Sequence, residues 1–186
     1  MQTYIIKNQK DLNKFKDDYG YKIDGNAEFE YSAIFEGRLL VNGYLSIKAG
    51  ESIKAGEFIK AGEFIKAGWS IEAGGSIKAG GSIEAGGSIE AGGFIEAGDN
   101  YGISAVLSIT CKGKLKFGSK AFAGICTWKN ISDQEKTITC GKFEGGVIEY
   151  GVLIETGLPE EKMITLSNGK KVSESTVIEA LKGLIK

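Results

Sequence analysis

Nine charged side chains recur at intervals of six residues through the middle of the chain: Lys48, Lys54, Lys60, Lys66, Glu72, Lys78, Glu84, Glu90 and Glu96. Such groups act as general acids and bases when a close pair is held together, or they recognise an oppositely charged surface. Even spacing spreads them apart, so recognition is the expected chemistry. The series is basic at its start and acidic at its end, which predicts an electrical dipole along whatever element carries it. A second set, Phe58, Phe64, Trp69 and Phe94, fills slots where the other repeats have Ser, Gly or Glu. Contiguous exposed aromatics mark a binding patch, whereas covered ones mark the seat of a terminal segment or of a second copy. Both readings stay open. The chain has no histidine, which removes the commonest general base and the commonest metal ligand. Cys111, Cys126 and Cys140 are odd in number and lack CxxC spacing, so they are expected to fill space as small apolar residues. No catalytic residue, metal ligand or cofactor is expected, and the chain is read as non-enzymatic.

Composition bounds the partners. Among 186 residues, 23 basic and 24 acidic side chains give a net charge of −1, so bulk electrostatics favours neither nucleic acid nor a membrane surface. Lysines diluted by as many glutamates argue against direct nucleic-acid binding. The longest apolar runs are only a few residues, too short for a membrane-spanning helix. Met1-Gln2-Thr3-Tyr4 lacks the basic and apolar stretches of a secretory signal, and the expected location is a bacterial cytoplasm.

The elements that must position these groups follow from the repeat. Ile47, Ile53, Ile59, Ile65, Ile71, Ile77, Ile83, Ile89 and Ile95 are six apart, and each is followed by alanine two residues on and then by glycine. The unit is (Ser/Phe)-Ile-(Lys/Glu)-Ala-Gly-x. On an extended strand Ile and Ala share one side and the charged residue takes the other. Each hexad is then a short strand and a corner, with glycine supplying corner backbone angles and alanine a close approach to the axis. Stepping back by six extends the frame through Val41, Phe35 and Phe29 to Ile23. Asp99-Asn100 breaks the phase, and Ile103, Ile109, Leu115 and Ala121 resume it. A single strand cannot bury its apolar side, but stacked coils can. Three hexads per coil give a triangular parallel β-helix, an all-β hexapeptide-repeat solenoid, of either hand. Residues 23–98 then span about 20 Å at about 4.8 Å per coil. The charged slots stack as Lys48-Lys66-Glu84, Lys54-Glu72-Glu90 and Lys60-Lys78-Glu96. An α-helix is excluded, because an Ala-Gly pair every six residues matches no helical face and each glycine costs about 1 kcal/mol there.

The ends differ in kind. Residues 1–22 read as an N-terminal cap: a strand over Thr3 to Lys7, then a short helix over Gln9 to Asp18 whose Leu12 and Phe15 cover one end of the rod. Residues 23–128 form the repeat helix. Residues 129–186 read as a module of strands at Thr137 to Phe143, Val147 to Glu155 and Met163 to Leu166, with a hairpin at Asn168-Gly169 and an amphipathic helix from Glu174 to Lys186 capped by Ser173.

The Ile-x-Ala-Gly order over residues 23–123 resembles bactofilin-type β-helices, which polymerise end to end. Over the whole chain, the short α/β opening, Val41-Asn42-Gly43-Tyr44-Leu45 and the SIKAG units resemble small hexapeptide-repeat proteins of phages and prophages in low-GC Gram-positive bacteria. Some phage proteins of this size are anti-CRISPR inhibitors that occupy a nuclease surface. That resemblance implies a binding protein that blocks a host nucleic-acid enzyme, such as a CRISPR-Cas effector. The surface would be Lys48, Lys54, Lys60 and Lys66, or Glu72, Glu84, Glu90 and Glu96, with the four aromatics. The dipole also allows a homodimer in which two chains pair antiparallel. The alternatives are a self-assembling structural protein and, behind it, a carbohydrate-active β-helix enzyme.

Overall fold

The computed structural model describes residues 1–157, 163–165 and 171–173, the last two stretches by backbone alone. The alternating pattern folds as expected, into three parallel sheets wound from consecutive short strands. Sheet I has eight strands, from Thr3–Ile6 through Asn26–Phe29, Leu45–Ile47, Ile65–Ala67, Ile83–Ala85, Ile103–Ala105 and Lys120–Ala123 to Val147–Tyr150. Sheet II has seven: Ala33–Phe35, Ile53–Ala55, Ile71–Ala73, Ile89–Ala91, Ile109–Cys111, Thr137–Cys140 and Val152–Glu155. Sheet III has eight: Lys16–Asp17, Gly20–Ile23, Arg38–Val41, Ile59–Ala61, Ile77–Ala79, Ile95–Glu96, Lys114–Lys116 and Lys142–Glu144. Apart from the antiparallel contact of Lys16–Asp17 with Gly20–Ile23, every pairing in these sheets is parallel and joins one coil to the next. No helix among the described residues is long and apolar enough to cross a membrane.

The core is two columns per sheet. Ile53, Ile59, Ile65, Ile71, Ile77, Ile83, Ile89 and Ile95 are fully buried, and the alanines two residues on are nearly so. Burying one isoleucine side chain contributes about 1.5–3 kcal/mol, and repetition at every coil offsets the entropy of so many corners. The reason for the corner glycines differs from the expected one. Gly74, Gly80, Gly86 and Gly92 have no positive φ. A Cβ at Gly80 would instead lie 2.1 Å from the carbonyl oxygen of Gly62 in the coil before, and the other three meet the same obstacle. Close coil stacking, not corner geometry, selects glycine there.

The frame before Ile53 also needs correction. Leu45, not Ile47, stacks on Ile65, and Ile47 stacks on Ala67. Leu39 and Val41 stack likewise on Ile59 and Ala61, so the early frame is displaced by two residues. The extra pair is taken up at the Lys48–Ser52 corner, where Gly50 has φ +83°. The displacement is hidden because large and small residues exchange slots: Ala27 and Ala33 stand in the isoleucine column, with Phe29 and Phe35 in the alanine column. Volume is kept while the pattern of sizes is reversed. The second slip, at Asp99-Asn100, is as expected, with Ile103 on Ile83 and Ile109 on Ile89.

The sheets run across both expected domain boundaries. Thr3–Ile6 already belongs to sheet I, and it leads into helix α1 (Gln9–Leu12) and a 3-10 turn at Asn13–Phe15, whose Leu12 is fully buried. Asn8 caps α1 by accepting from the Asp11 N–H. At the other end, the expected strand Thr137 to Phe143 is two strands turned at Gly141, and Val147 to Glu155 is two turned at Gly151, where φ is +120°. Each stacks as a further coil: Ile138 on Ile109, Phe143 on Leu115, Leu153 on Ile138. Met163–Thr165 pairs antiparallel with Lys171–Ser173, as a hairpin requires. The turn at Asn168-Gly169 and the expected helix Glu174 to Lys186 lie outside the described residues.

Candidate functional site

Winding three hexads per coil sorts the charges around the rod rather than along it. The strands of sheet III carry eight basic residues, Lys16, Lys22, Arg38, Lys60, Lys78, Lys114, Lys116 and Lys142, against Asp17, Glu96 and Glu144. Those of sheet II carry Lys54 against Glu72, Glu90 and Glu155, and those of sheet I carry Lys66 and Lys120 against Glu28, Glu84 and Glu149. Sheet III is the basic face.

The expected lysine set is therefore not one surface. Lys54 lies on sheet II and its ammonium is 2.7 Å from Glu72; Lys66 lies on sheet I, 3.6 Å from Glu84. Lys60 lies on sheet III, and Lys48 sits exposed on the Lys48–Ser52 corner, outside any column. Ser46 takes the place expected for Lys48, above Lys66 and Glu84. The glutamates divide in the same way, with Glu72 and Glu90 on sheet II, Glu84 on sheet I and Glu96 on sheet III. The columns Lys54-Glu72-Glu90 and Lys60-Lys78-Glu96 do form. The hydrogen bond from Lys54 to Glu72 raises the pKa of that ammonium, so the pair stays charged through neutral pH.

The aromatics also part company. Phe64, on the sheet I side, stacks on Tyr44 with ring centroids 4.9 Å apart and planes 3° from parallel. Tyr44 in turn donates its hydroxyl to Glu28, at 2.6 Å. Trp69, at the corner between sheets I and II, lies 6.4 Å from Trp128. Trp128 belongs to residues 124–136, the long corner after Lys120–Ala123, and reaches back across the intervening coils of sheet I. That corner is tied by Lys129 to Glu135 and by the Ser132 N–H to the same carboxylate. The Lys129 ammonium first and the Ser132 N–H second hold the Glu135 carboxyl down to about 2. Trp128 is not part of the repeat, so the period gave no sign of it.

Phe58 and Phe94 do come together, on sheet III. With Ile59, Ile77 and Ile95 in register, Phe58, Ser76 and Phe94 form one outward column. The two rings border an open groove of 600 Å³ floored by Gly74, Gly75 and Ser76, with Lys60 and Lys78 beside it. The Phe94 N–H donates to Ser76 Oγ at 3.0 Å and fixes the column. Phe94 is 41% exposed and forms a ridge; on its other side lies a second groove of 430 Å³, lined by Lys114, Lys116, Glu96 and Glu144. Lys78 pairs with Glu96 at 3.0 Å, and Lys114 and Lys142 share Glu144 at 3.0 and 3.1 Å. Lys60 stacks directly on Lys78 and makes no ion pair among the described residues. Lys114, Lys116 and Arg38 were not among the expected site residues; following the lysine column through the Asp99-Asn100 slip would have found Lys116.

Cys111 and Cys140 occupy consecutive places in the alanine column of sheet II and are buried. Burial pushes their thiols up to about 12 and about 11, which fits packing. No cluster of metal-ligating side chains occurs among the described residues. Comparison with protein-family models, with curated proteins and with solved structures finds no match to this chain.

Proposed function

We propose that the protein is a non-enzymatic binding protein that docks sheet III against a negatively charged target. In the most specific form of this reading, the target is a host nucleic-acid enzyme in a bacterial cytoplasm, a CRISPR effector being the concrete case, and docking inhibits it. The observation that carries the docking reading is the excess of cations on one sheet beside the grooves flanking Phe94. Complementary charge speeds and orients association, and aromatic ridges supply the desolvated anchor. The resemblance of the Val41 to Leu45 opening and the SIKAG units to phage hexapeptide-repeat proteins supports the choice of target. The test is titration into a cleavage reaction with a purified effector. Cleavage should stop near one equivalent and return with Lys60→Glu/Lys78→Glu; undiminished cleavage in excess protein overturns the inhibitor reading.

A second reading is self-assembly. It is favoured by the complementary faces of one chain, basic on sheet III and acidic on sheet II. Such a contact joins two different faces, so it propagates into open chains rather than closing as an antiparallel dimer. Sedimentation at low and high salt separates the two: growing, salt-sensitive polymers support assembly, and a single species at both salts excludes it.

A further inference from the structure

We propose that the groove between Phe58 and Phe94 receives one unstacked base of a single-stranded nucleic acid, with the adjoining phosphates on Lys60 and Lys78. The sequence order argued against nucleic acid by mixing lysine with glutamate, and the sorting of charge onto sheet III removes that argument. The two phenyl rings stand one coil to either side of Ser76, about 9.6 Å apart at two strand spacings. A planar ring in contact with both needs about 7–8 Å between them, so it enters with small tilts of the side chains. The floor is open because Gly75 and Ser76 stand between the rings, at the coil after Glu57 and Phe58.

Charge points the same way. Like charges directly opposite on neighbouring strands are destabilising, yet Lys60 sits on Lys78, whereas Lys54 and Lys66 each sit on a glutamate. A phosphate between Lys60 and Lys78 relieves that repulsion. The basic face continues past Phe94 to Lys114 and Lys116, along the path of a strand leaving the slot. A nucleotide is the flat ring that always arrives with an anion attached, and aromatic platforms in a basic groove bind single strands without sequence preference.

The test is fluorescence anisotropy with a labelled short oligothymidylate and an abasic oligonucleotide of equal length and charge, at low salt. The thymidylate should bind at least about fivefold tighter, the lower end of what stacking one base on an aromatic contributes. Phe58→Ala/Phe94→Ala should bring it down to the abasic affinity and leave abasic binding unchanged. Ser76→Phe, which places a third ring in the same outward column, should block the slot in the same way should the double variant fold poorly. Lys60→Gln/Lys78→Gln should weaken both oligonucleotides and reduce the salt slope by about one. Equal affinity for the two oligonucleotides, or no binding to either, overturns the proposal. The assay contains no target enzyme, so its failure is separate from failure of the inhibition reading.

Discussion

At the scale of single residues, the repeat is governed by clearances of a few tenths of an ångström. Neighbouring glycines show this best. A Cβ at Gly80 would meet the Gly62 carbonyl oxygen at 2.1 Å, while one at Gly81 would have nothing nearer than 3.3 Å. Gly80→Ala should therefore cost at least the about 1–3 kcal/mol typical of overpacking, and Gly81→Ala should be near neutral, as chemical denaturation will show. The identity of the glycines was legible in the sequence but their cause was not, because a clash with the previous coil is invisible until the coil length is known. The thiols give a second expectation. Cys111 and Cys140 are buried with raised pKa, whereas Cys126 is partly accessible, so a thiol reagent at neutral pH should modify only Cys126 in the native protein. Burial of a thiol disfavours the thiolate in the folded state. The stability it carries is whole below the unfolded thiol value and declines as pH rises from about 8.5 towards 11 and 12. Cys111→Ala/Cys140→Ala should shallow that alkaline decline in a melting series.

At the scale of elements, the two-residue slip at Lys48–Ser52 and the corner 124–136 are where the period stops being informative. The first was hidden by the exchange of sizes between Ala27, Ala33 and Phe29, Phe35; a frame judged by apolar residues alone reads straight through it. The second was taken for a boundary because hexads vanish after it, although Thr137–Cys140 resumes sheet II in register with Ile109. The strands from Ile53 to Cys111 were legible because every hexad repeats one size, one charge slot and one glycine. The 124–136 corner brings its own pH response. The Glu135 carboxyl is lowered to about 2 by Lys129 and Ser132, so its contribution is present above the ordinary carboxylate range and is lost as pH falls towards about 2. Tryptophan emission, which reports the Trp69–Trp128 contact, should change with a midpoint near that value, and Glu135→Gln should abolish the transition.

At the scale of the whole molecule, the decisive fact is that a coil of three hexads converts an axial series into three faces. The sequence order suggested a basic end and an acidic end. The structure brings Lys60 and Lys78 onto one basic sheet with Phe58 and Phe94, and it sends Lys54 and Lys66 to other sheets, each against a glutamate. Two of the three charged columns were legible from the period alone; the third failed on the displaced frame at Lys48. Retention on a heparin column tests the sorted-face account most directly, with Lys60→Glu/Lys78→Glu compared with Lys54→Glu/Lys66→Glu, variants that change the net charge equally. The account predicts that the first elutes at clearly lower salt than the unmodified protein and that the second shifts much less, since its lysines are already engaged by Glu72 and Glu84. Equal shifts for both would mean that charge acts along the rod, and would contradict sheet III as the anion-binding face.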